Sequence, residues 1–425
     1  MQINLKTLGC RLNEAELETW AQAFQAQGHT ITNSISAAQL VVINSCAVTQ
    51  DAARKSRQLI RRLHRENPHA KLVVSGCYAT LNTDEAQALL GVDLVVSNKD
   101  KSQLVEKALS ELSFETMPAM ATEPASSALF TRGRQRAFVK VQDGCRYRCT
   151  FCIVTVARGE EVSRSIADVI TEINILHAQG INEVILTGVH LGGYGSDNGE
   201  NIVTLIQAIL EQTQIPRLRL GSLEPWELND DFFKLFENSR LMPHLHLPLQ
   251  SGSDSVLRRM ARRCKTEEYL QMLQRLRQIP HFNITTDIIV GFPNETQEEW
   301  QESFEFIKSC GFGHIHIFTY SPREGTKAAM LPNPVSHETK KQRSVQLHHL
   351  AEEMKQNFYQ QNVGQKFEVL WEGQREELEN GKQRVFGYTQ NYLRVSCEIS
   401  KDEIIENHIT TYHLLKNLET VNNSV

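Results

Sequence analysis

The chain lacks the features that would place it in a membrane, in an export pathway or among disordered proteins. It has no run of about 18 uncharged apolar residues, and its start, MQINLKTLGC, has no basic stretch leading into a long apolar one. Cysteine is scarce, nine in 425 residues, which is too few for a disulfide scaffold. The 40% hydrophobic and 22% charged residues are ordinary globular usage. The sequence therefore predicts a soluble protein of the reducing cytoplasm with two or three domains.

A large excess of charge is also missing. The net charge of −5 argues against a uniform affinity for nucleic acid, although the distribution of charge matters more than its sum. Three windows are locally basic: residues 54–65 hold six Lys/Arg and no acid, residues 132–148 hold six against one Asp, and residues 258–265 hold five in eight positions. A solvated helix face explains any one of them. Two of the windows flank cysteines, which favours an anion-binding surface.

Residues 1–113 alternate apolar strands with amphipathic helices, the pattern of a doubly wound parallel α/β domain. Cys10, Cys46 and Cys77 each follow one of the first three strands, INLKTLG, QLVVINS and KLVVSG. The carboxyl ends of such strands lie along one edge, about 4.8 Å apart, so three thiols there can face one metal cluster. Three buried structural cysteines are the alternative, since free cysteine is often buried. Their equivalent positions favour a role as metal ligands.

Residues 114–130, rich in Ala, Pro, Ser and Met, are predicted to form a linker. In residues 131–355 strands and helices alternate again. Six strands are predicted, in AFVKVQDGC, EVILTGV, RLRLGSLEP, HLHLPLQSG, ITTDIIVGFP and HIHIFTYSP. Six βα units indicate a parallel barrel or partial barrel whose active face lies at the strand carboxyl ends.

Residues 361–425 are predicted to form a small all-β module. Its strands are expected in KFEVLWEG, in RVFGYTQNYLRVSC and near Glu403. The module holds seven Lys/Arg against ten Asp/Glu, so as a whole it is not a basic clamp for RNA.

The loop after the first strand of the central domain carries Cys145, Cys149 and Cys152 in a C-x3-C-x2-C spacing. Such a loop can give three thiolates to a [4Fe–4S] cluster and leave the fourth iron open. Zinc is the alternative, but a fourth Cys or His at the usual spacing is missing, and Tyr147 and Arg148 fill the loop instead. Two sets of three cysteines, each one ligand short of a closed site, indicate an enzyme.

The run QDGCRYRCTFC resembles the signature of the radical S-adenosylmethionine (SAM) enzymes. Together with GCRLNEAE, INSCAV and VSGCYA it resembles the radical SAM methylthiotransferases over nearly the whole chain. That resemblance implies an N-terminal cluster domain, a radical SAM partial (β/α)6 barrel and a C-terminal TRAM domain. It also implies SAM and two [4Fe–4S] clusters, a catalytic one on Cys145, Cys149 and Cys152 that cleaves SAM, and one on Cys10, Cys46 and Cys77 that carries the sulfur.

The stretch LTGVHLGGYG resembles the branch that acts on threonylcarbamoyladenosine at position 37 of tRNA, with further support from HLPLQSGSDSVLRRM and PREGTKAA. The implied reaction places a methylthio group on carbon 2 of the adenine. The alternatives are the branches that act on isopentenyladenosine-37 of tRNA and on an aspartate of ribosomal protein S12. Two departures from the family pattern are Thr155, where Pro is common, and Asn294 in GFPNET. Neither removes a ligand.

SAM is expected across the strand carboxyl ends of the barrel. The candidate contacts are Gly188, His190, Gln250, Ser251, Gly291 and Phe292. A packed histidine is the alternative for His190 and a tight turn for Gly291.

The implied partners are the anticodon stem-loop of tRNA around A37 and an electron donor such as flavodoxin or ferredoxin, with no membrane. The basic windows and the aromatic residues Tyr388 and Tyr392 are candidates for phosphate contacts and base stacking. The acidic C-terminal module would suit a basic protein substrate equally well.

Overall fold

The computed structural model describes residues 1–112 and 135–415. These form two compact units, the first from residues 1–215 and 321–331, the second from residues 216–320 and 332 onward. Within the described ranges, every helix is too short or too polar to cross a bilayer. The predicted linker, 114–130, lies outside the described residues, and the predicted domain boundaries stay predictions.

The first unit begins with a parallel five-stranded sheet. Its strands are β1 (Gln2–Thr7), β2 (Thr30–Ile31), β3 (Leu40–Ser45), β4 (Lys71–Gly76) and β5 (Leu94–Val96). They are ordered β2-β1-β3-β4-β5 with parallel neighbours throughout, a doubly wound topology. The predicted fold of this region is confirmed. The two-residue β2 is an addition, too short for an alternation pattern to reveal.

Helices cover both faces of this sheet. They are α1 (Arg11–Ala26), α2 (Gln50–Glu66), α3 (Cys77–Leu81), α4 (Thr83–Gln87) and α5 (Leu104–Glu111). One apolar core packs α1 and α5 against one face, and a second packs α2 and α3 against the other. Helix α2 starts where the Thr49 hydroxyl accepts a hydrogen bond from the Ala52 amide at 3.0 Å. Its buried stripe is narrow, so its basic residues remain on the solvent side.

The rest of the first unit contains the cysteine loop. Its strands are β6 (Arg136–Asp143), β7 (Val162–Ser163) and β8 (Glu183–Gly188), and its helices are α6 (Val154–Arg158), α7 (Ile166–Ala178) and α8 (Ile202–Gln212). Strand β6 pairs with β8 in parallel and with β7 antiparallel. The separate segment 321–331 returns to this loop, where the Ala328 amide donates to the Thr150 carbonyl at 2.8 Å.

The second unit carries four further strands of the predicted central domain: β9 (Arg217–Leu220), β10 (His244–His246), β11 (Asn283–Val290) and β12 (His314–Thr319). Its helices are α9 (Asp230–Lys234), α10 (Asp254–Arg259), α11 (Thr266–Leu276), α12 (Gln297–Cys310) and α13 (His337–Asn362). Strands β10, β11 and β12 are parallel neighbours. All six strands predicted for the central domain are therefore present.

The predicted all-β module is confirmed as a four-stranded antiparallel sheet. It comprises β13 (Lys366–Glu377), β14 (Gln383–Thr389), β15 (Arg394–Ile399) and β16 (Ile409–His413), in the order β15-β14-β13-β16. The strand expected near Glu403 is wrong. The Glu403 amide bonds back to the Ser400 carbonyl at 3.1 Å in a turn, and Ile404 is exposed, so the last strand starts only at Ile409.

Candidate metal centres

The three strand-end cysteines occupy equivalent places on the N-terminal sheet. Cys10 precedes α1, Cys46 follows β3 and Cys77 opens α3 directly after β4. Because β3 lies between β1 and β4, the three strand ends are adjacent, as predicted. Cys46 and Cys77 are buried, whereas Cys10 is exposed.

Glycines allow the backbone to pass close to this cluster of thiols. Gly9 has a φ of +115°, and a Cβ there would lie 2.9 Å from the Cys46 Sγ. Gly76 has a φ of +100°, and its Cβ would lie 2.2 Å from the Ser45 carbonyl oxygen. Any side chain at these positions would displace the thiols or the strand between them. The glycines before Cys10 and Cys77 are therefore part of the site.

The thiols of this set influence one another. Burial raises the pKa of Cys46 to about 11, and the Cys77 and Cys10 thiols add to that shift while Arg158 opposes it. With its pKa raised, the Cys46 thiol stays protonated unless a cation joins it, and metal binding releases that proton. The donor set therefore fits a metal cluster.

Local backbone bonds shape the C-x3-C-x2-C loop. The Cys145 amide donates to the Gly159 carbonyl at 3.1 Å, and the Cys152 amide donates to the Cys149 carbonyl at 3.0 Å. The Cys152 Sγ accepts from the Val154 amide at 3.4 Å. Because one short loop supplies all three thiols, their convergence needs no distant part of the chain.

The loop thiols also lie close to one another. Burial raises the pKa of Cys145 to about 12, and the Cys152 and Cys149 thiols contribute to that rise. All nine cysteines of the chain are free thiols within the described ranges, so both predicted sets are available as ligands. Three thiolates from one loop match the ligation of a [4Fe–4S] cluster with one open iron.

Glu161 is a feature of this centre that the sequence does not single out. Ligand atoms of Cys145, Glu161 and His190 lie within 4.8 Å of one another. Glu161 accepts hydrogen bonds from the Arg146 amide at 3.1 Å and from the side chains of Ser196 and His190. No spacing rule connects these positions, because the loop after β8 brings His190 to Cys145. A Cys-Glu-His set can also bind zinc, but His190 and Glu161 already bond to each other.

Two predicted SAM contacts, Gly188 and His190, lie at the end of β8 in the same unit as this loop. The His190 amide donates to the Gln142 Oε1 at 2.8 Å, and a Cβ at Gly188 would lie 2.9 Å from that oxygen. The His190 ring is buried, with its centroid 4.7 Å from that of Tyr147. The structure therefore brings these two residues to the cysteine loop; their contact with SAM stays a prediction.

The other four predicted contacts lie in the second unit, where β10 and β11 end side by side. Gln250 has a φ of +76° and bonds through its backbone to Asp287 and Ile289. Ser251 is buried, and the Gly291 amide donates to Glu295 at 3.0 Å. Phe292 is fully buried, so only its backbone is available to a ligand. Roles for these four in SAM binding stay predictions.

A polar face on β10, β11 and β12 is a second feature outside the predicted set. His246, Asp287 and His316 place ligand atoms within 4.8 Å of one another, with 3.2 Å between the His246 Nε2 and the Asp287 Oδ1. Strand pairing explains the grouping, since Asp287 is the partner of His316 and His246 is the partner of Thr285. The alternating histidines of HLHL and HIHI are the sequence signal for this face.

The two cysteine sets are connected through a buried ion cluster around Glu16. Its carboxylate, 4% exposed, contacts the Arg158 Nη1 at 3.0 Å, the Lys140 Nζ at 3.3 Å and the Lys101 ammonium. Burial alone would raise the pKa of Glu16, but the three cations hold it well below its usual value. Arg158 also donates to the Asn13 Oδ1 at 2.9 Å. The GCRLNEAE motif thus holds the end of the cysteine loop.

A cavity of about 780 Å³ lies beside both sets. Its walls come from the stretches that follow Cys46, Cys77 and Cys152 and from the segment 321–331. The lining residues are Gln50, Asp51, Ala53, Arg54, Arg57, Leu81, Asn82, Ile153, Val156, Ser321, Arg323, Glu324 and Gly325.

Comparisons with known proteins agree with this geometry. Residues 139–307 match the radical SAM superfamily, and residues 2–97 match "Uncharacterized protein family UPF0004". A radical SAM methyltransferase, TsrM from Kitasatospora setae, has a similar solved structure, with a TM-score of 0.58 and 14% identity over 77% of each chain. This likeness confirms the predicted radical SAM fold class. The chain thus has the fold of the radical SAM proteins.

Full-length relatives narrow the class. The threonylcarbamoyladenosine tRNA methylthiotransferase MtaB of Bacillus subtilis is 36% identical, over 94% of this chain and 90% of the relative. The tRNA-2-methylthio-N(6)-dimethylallyladenosine synthase of Bacillus pumilus is 34% identical, over 94% of this chain and 81% of the relative. The chain belongs to the radical SAM methylthiotransferases, as predicted, and resembles their threonylcarbamoyladenosine branch. Its cofactors are SAM and two [4Fe–4S] clusters.

Proposed function

We propose that the chain transfers a methylthio group to carbon 2 of N6-threonylcarbamoyladenosine at position 37 of tRNA. The name and the 36% identity of the Bacillus subtilis relative support this substrate. The observation that carries the proposal is the cavity, because it is lined by residues of α2, which follows Cys46, by Leu81 at the end of α3, which Cys77 opens, and by Ile153, which follows Cys152. A nucleotide that enters it would lie beside Ile153, the residue after Cys152, and beside the helices α2 and α3 that follow β3 and β4.

The bound cofactors supply the radical and the sulfur that replace the hydrogen on carbon 2. The chain's own residues hold and orient these groups. Cys145, Cys149 and Cys152 would hold the SAM-binding cluster, with Gly188 and His190 beside it. Cys10, Cys46 and Cys77 would hold the second cluster and lose their protons on binding it. Arg158, buried between Glu16 and Asp143, fixes the spacing of the two sets.

The tRNA would contact the exposed basic side of α2, where Arg54, Lys55 and Arg62 are each more than half exposed. Phosphate contacts of this kind position the RNA without reading its sequence. Tyr388 and Tyr392 stack on each other with ring centroids 4.9 Å apart. The Tyr392 ring also stacks on the His244 ring, with centroids 4.7 Å apart. These three rings form a column, so a base could stack only on a ring face or edge that the column leaves exposed.

Radical SAM chemistry needs electrons, and a flavodoxin or ferredoxin is the proposed donor. A tRNA substrate places the reaction in the cytoplasm. Neither proposal depends on the assignment of individual SAM contacts.

Nucleoside analysis of bulk tRNA tests the function. Mass spectrometry of cells that carry the gene should show the 2-methylthio form of threonylcarbamoyladenosine, and cells without the gene should retain only the unmethylthiolated nucleoside. Restoring the wild-type gene should restore the modification, whereas a Cys149→Ala gene should not. An unchanged nucleoside profile would contradict the proposal.

The dimethylallyladenosine branch is the alternative, because a relative of that name is 34% identical. Loss of the methylthio group from the isopentenyl nucleoside alone would select it. Loss of a modified aspartate in ribosomal protein S12, with all nucleosides intact, would select the protein substrate that the acidic C-terminal module allows.

A further inference from the structure

Three arginines line the cavity beside the cysteine sets, and two of them form ion pairs with acidic side chains. Arg54 pairs with Asp51 and is 62% exposed, so it lies at the rim. Arg57 lies 3.4 Å from a carboxylate oxygen of Glu85. Arg323 differs from both. Within residues 1–112 and 135–415 no carboxylate lies within 4.0 Å of its guanidinium, and its buried Nε has no hydrogen-bond partner.

Arg323 is held in place through its backbone. The Gln50 side chain donates to the Pro322 carbonyl at 3.0 Å, and the Thr326 hydroxyl donates to the Arg323 carbonyl at 2.7 Å. The segment is fixed again at Thr150, inside the cysteine loop, by the Ala328 amide at 2.8 Å. Burial lowers the pKa of Arg323, and the Cys46 thiol acts against that shift. The guanidinium therefore lies close enough to Cys46 to interact with it electrostatically, on the side of the cavity where carbon 2 would receive its sulfur.

A guanidinium with a buried, unpaired nitrogen is costly unless a ligand completes its bonding. Its planar fork matches a carboxylate, which can accept two parallel hydrogen bonds. The threonylcarbamoyl group carries such a carboxylate, whereas a dimethylallyl group and an unmodified adenine do not. The cavity also carries two acids, Asp51 and Glu324. Asp51 is paired with Arg54 and Lys55, and Glu324 is exposed, so neither neutralises Arg323.

We propose that Arg323 binds the carboxylate of the threonylcarbamoyl group and thereby selects this nucleoside over adenosine and dimethylallyladenosine. The inference rests on the proposed function and adds the residue that determines its specificity. A site built to bond a charged group rejects analogues that lack it, because its own donor is then left unpaired.

The test measures binding of three anticodon stem-loops that differ only at position 37: threonylcarbamoyladenosine, adenosine and dimethylallyladenosine. Anaerobically reconstituted holoenzyme is used without reductant, so no turnover occurs. The wild type should prefer the threonylcarbamoyl stem-loop over adenosine, and Arg323→Gln should reduce that preference by about 10- to 100-fold, the size of a lost charged hydrogen bond. Arg323→Lys, which keeps the charge without the fork, should fall between them.

Arg54→Gln is the matched control, because it removes a rim arginine of the same cavity. It should weaken all three stem-loops about equally. Three results for Arg323→Gln would overturn the inference: equal weakening of all stem-loops, which indicates a phosphate contact; unchanged binding; or an unchanged preference with an altered cluster spectrum, which indicates a role at the Cys46 cluster.

The same experiment distinguishes a change in specificity from a loss of folding or of cofactor. Iron content and thermal midpoint establish that the variants are loaded and folded, and Arg323→Lys decides the matter if Arg323→Gln does not fold. A wild type that methylthiolates threonylcarbamoyladenosine in cells, with an Arg323→Gln variant of unchanged preference, refutes the inference alone. A wild type that prefers the dimethylallyl stem-loop refutes the proposed function and the inference together.

Discussion

The two sets of three cysteines are assembled in different ways. The set on Cys145, Cys149 and Cys152 comes from one loop and is shaped by local backbone bonds. The other set comes from three strand ends separated by 67 residues between its first and last member, and it exists only when the sheet is assembled. The loop site is thus a property of a short sequence, whereas the strand-end site is a property of the tertiary fold.

This difference explains where the buried charges lie. The Glu16 cluster joins α1, which starts directly after Cys10, to Arg158 at the end of α6. A buried ion pair contributes little net stability compared with apolar residues of similar volume. The Glu16 cluster is therefore better explained by a role in fixing local geometry. We infer that this cluster sets the spacing between the two cysteine sets.

The largest expected effect distinguishes the two cysteine sets by the reaction that each one supports. Cys149→Ala should reduce reductive SAM cleavage and methylthiolation to background. Cys46→Ala should keep SAM cleavage and lose methylthiolation, because it removes a ligand of the other cluster only. For each variant, SAM cleavage is measured as 5′-deoxyadenosine and methylthiolation as methylthiolated nucleoside, both from one reaction.

Cys397→Ala is the matched control, since this thiol lies in the C-terminal module and burial raises its pKa to about 11. It should leave both products unchanged. Equal loss of SAM cleavage in the Cys149 and Cys46 variants would contradict the division of labour.

A second prediction concerns stability. Glu16→Gln leaves Lys101, Lys140 and Arg158 without their shared carboxylate, and breaking such a buried pair costs about 3–5 kcal/mol. The thermal midpoint of the holoenzyme, followed by circular dichroism, should fall by at least about 6 °C.

Asp231→Asn provides the comparison for a surface pair, because Asp231 and Lys234 are both about two-thirds exposed at 2.8 Å. Its cost should stay below about 1 kcal/mol. Equal midpoints for the two variants would mean that the Glu16 cluster does not hold the two sets together.

The smallest expected effect distinguishes the RNA-binding surfaces of the two regions. The double variant Arg61→Ala and Arg62→Ala, on exposed positions of α2, should weaken tRNA binding and lower the slope of log affinity against log salt by about 2, since each arginine is expected to neutralise one phosphate. Fluorescence anisotropy across a salt series measures it.

Arg148→Ala, next to Cys149 and 62% exposed, tests the loop side. The tRNA backbone is proposed to lie on α2, so this variant should change the slope less. A larger change for Arg148 than for the α2 pair would move the RNA to the loop side.

Local patterns predict much of this molecule. The alternation of strands and helices gives the doubly wound sheet, all six strands of the central domain and the antiparallel module. The strand-end positions and the loop spacing of the cysteines predict both groups of three thiols, because parallel strand ends and short loops bring residues together by rules that hold for any sequence. Their role as cluster ligands stays a prediction. The strand near Glu403 failed because Ile404 and Ile405 suggest a strand, while the preceding polar residues form a turn.

Residues that meet only through the tertiary fold were beyond such rules. Glu161, Cys145 and His190 meet because β7 and β8 both pair with β6, which leads into the cysteine loop. Glu16 meets Arg158 across 142 residues, and nothing in either local sequence indicates the pair. Arg323 enters the cavity because its segment leaves the second unit and rejoins the first.

Iron analysis of anaerobically purified protein tests the central claim, that each set of three cysteines holds its own cluster. The wild type should contain about eight iron atoms per chain, and alanine at all three positions of either set should leave about four. Retention of all the iron in either triple variant, loss of all of it in both, or zinc in place of iron would contradict the account.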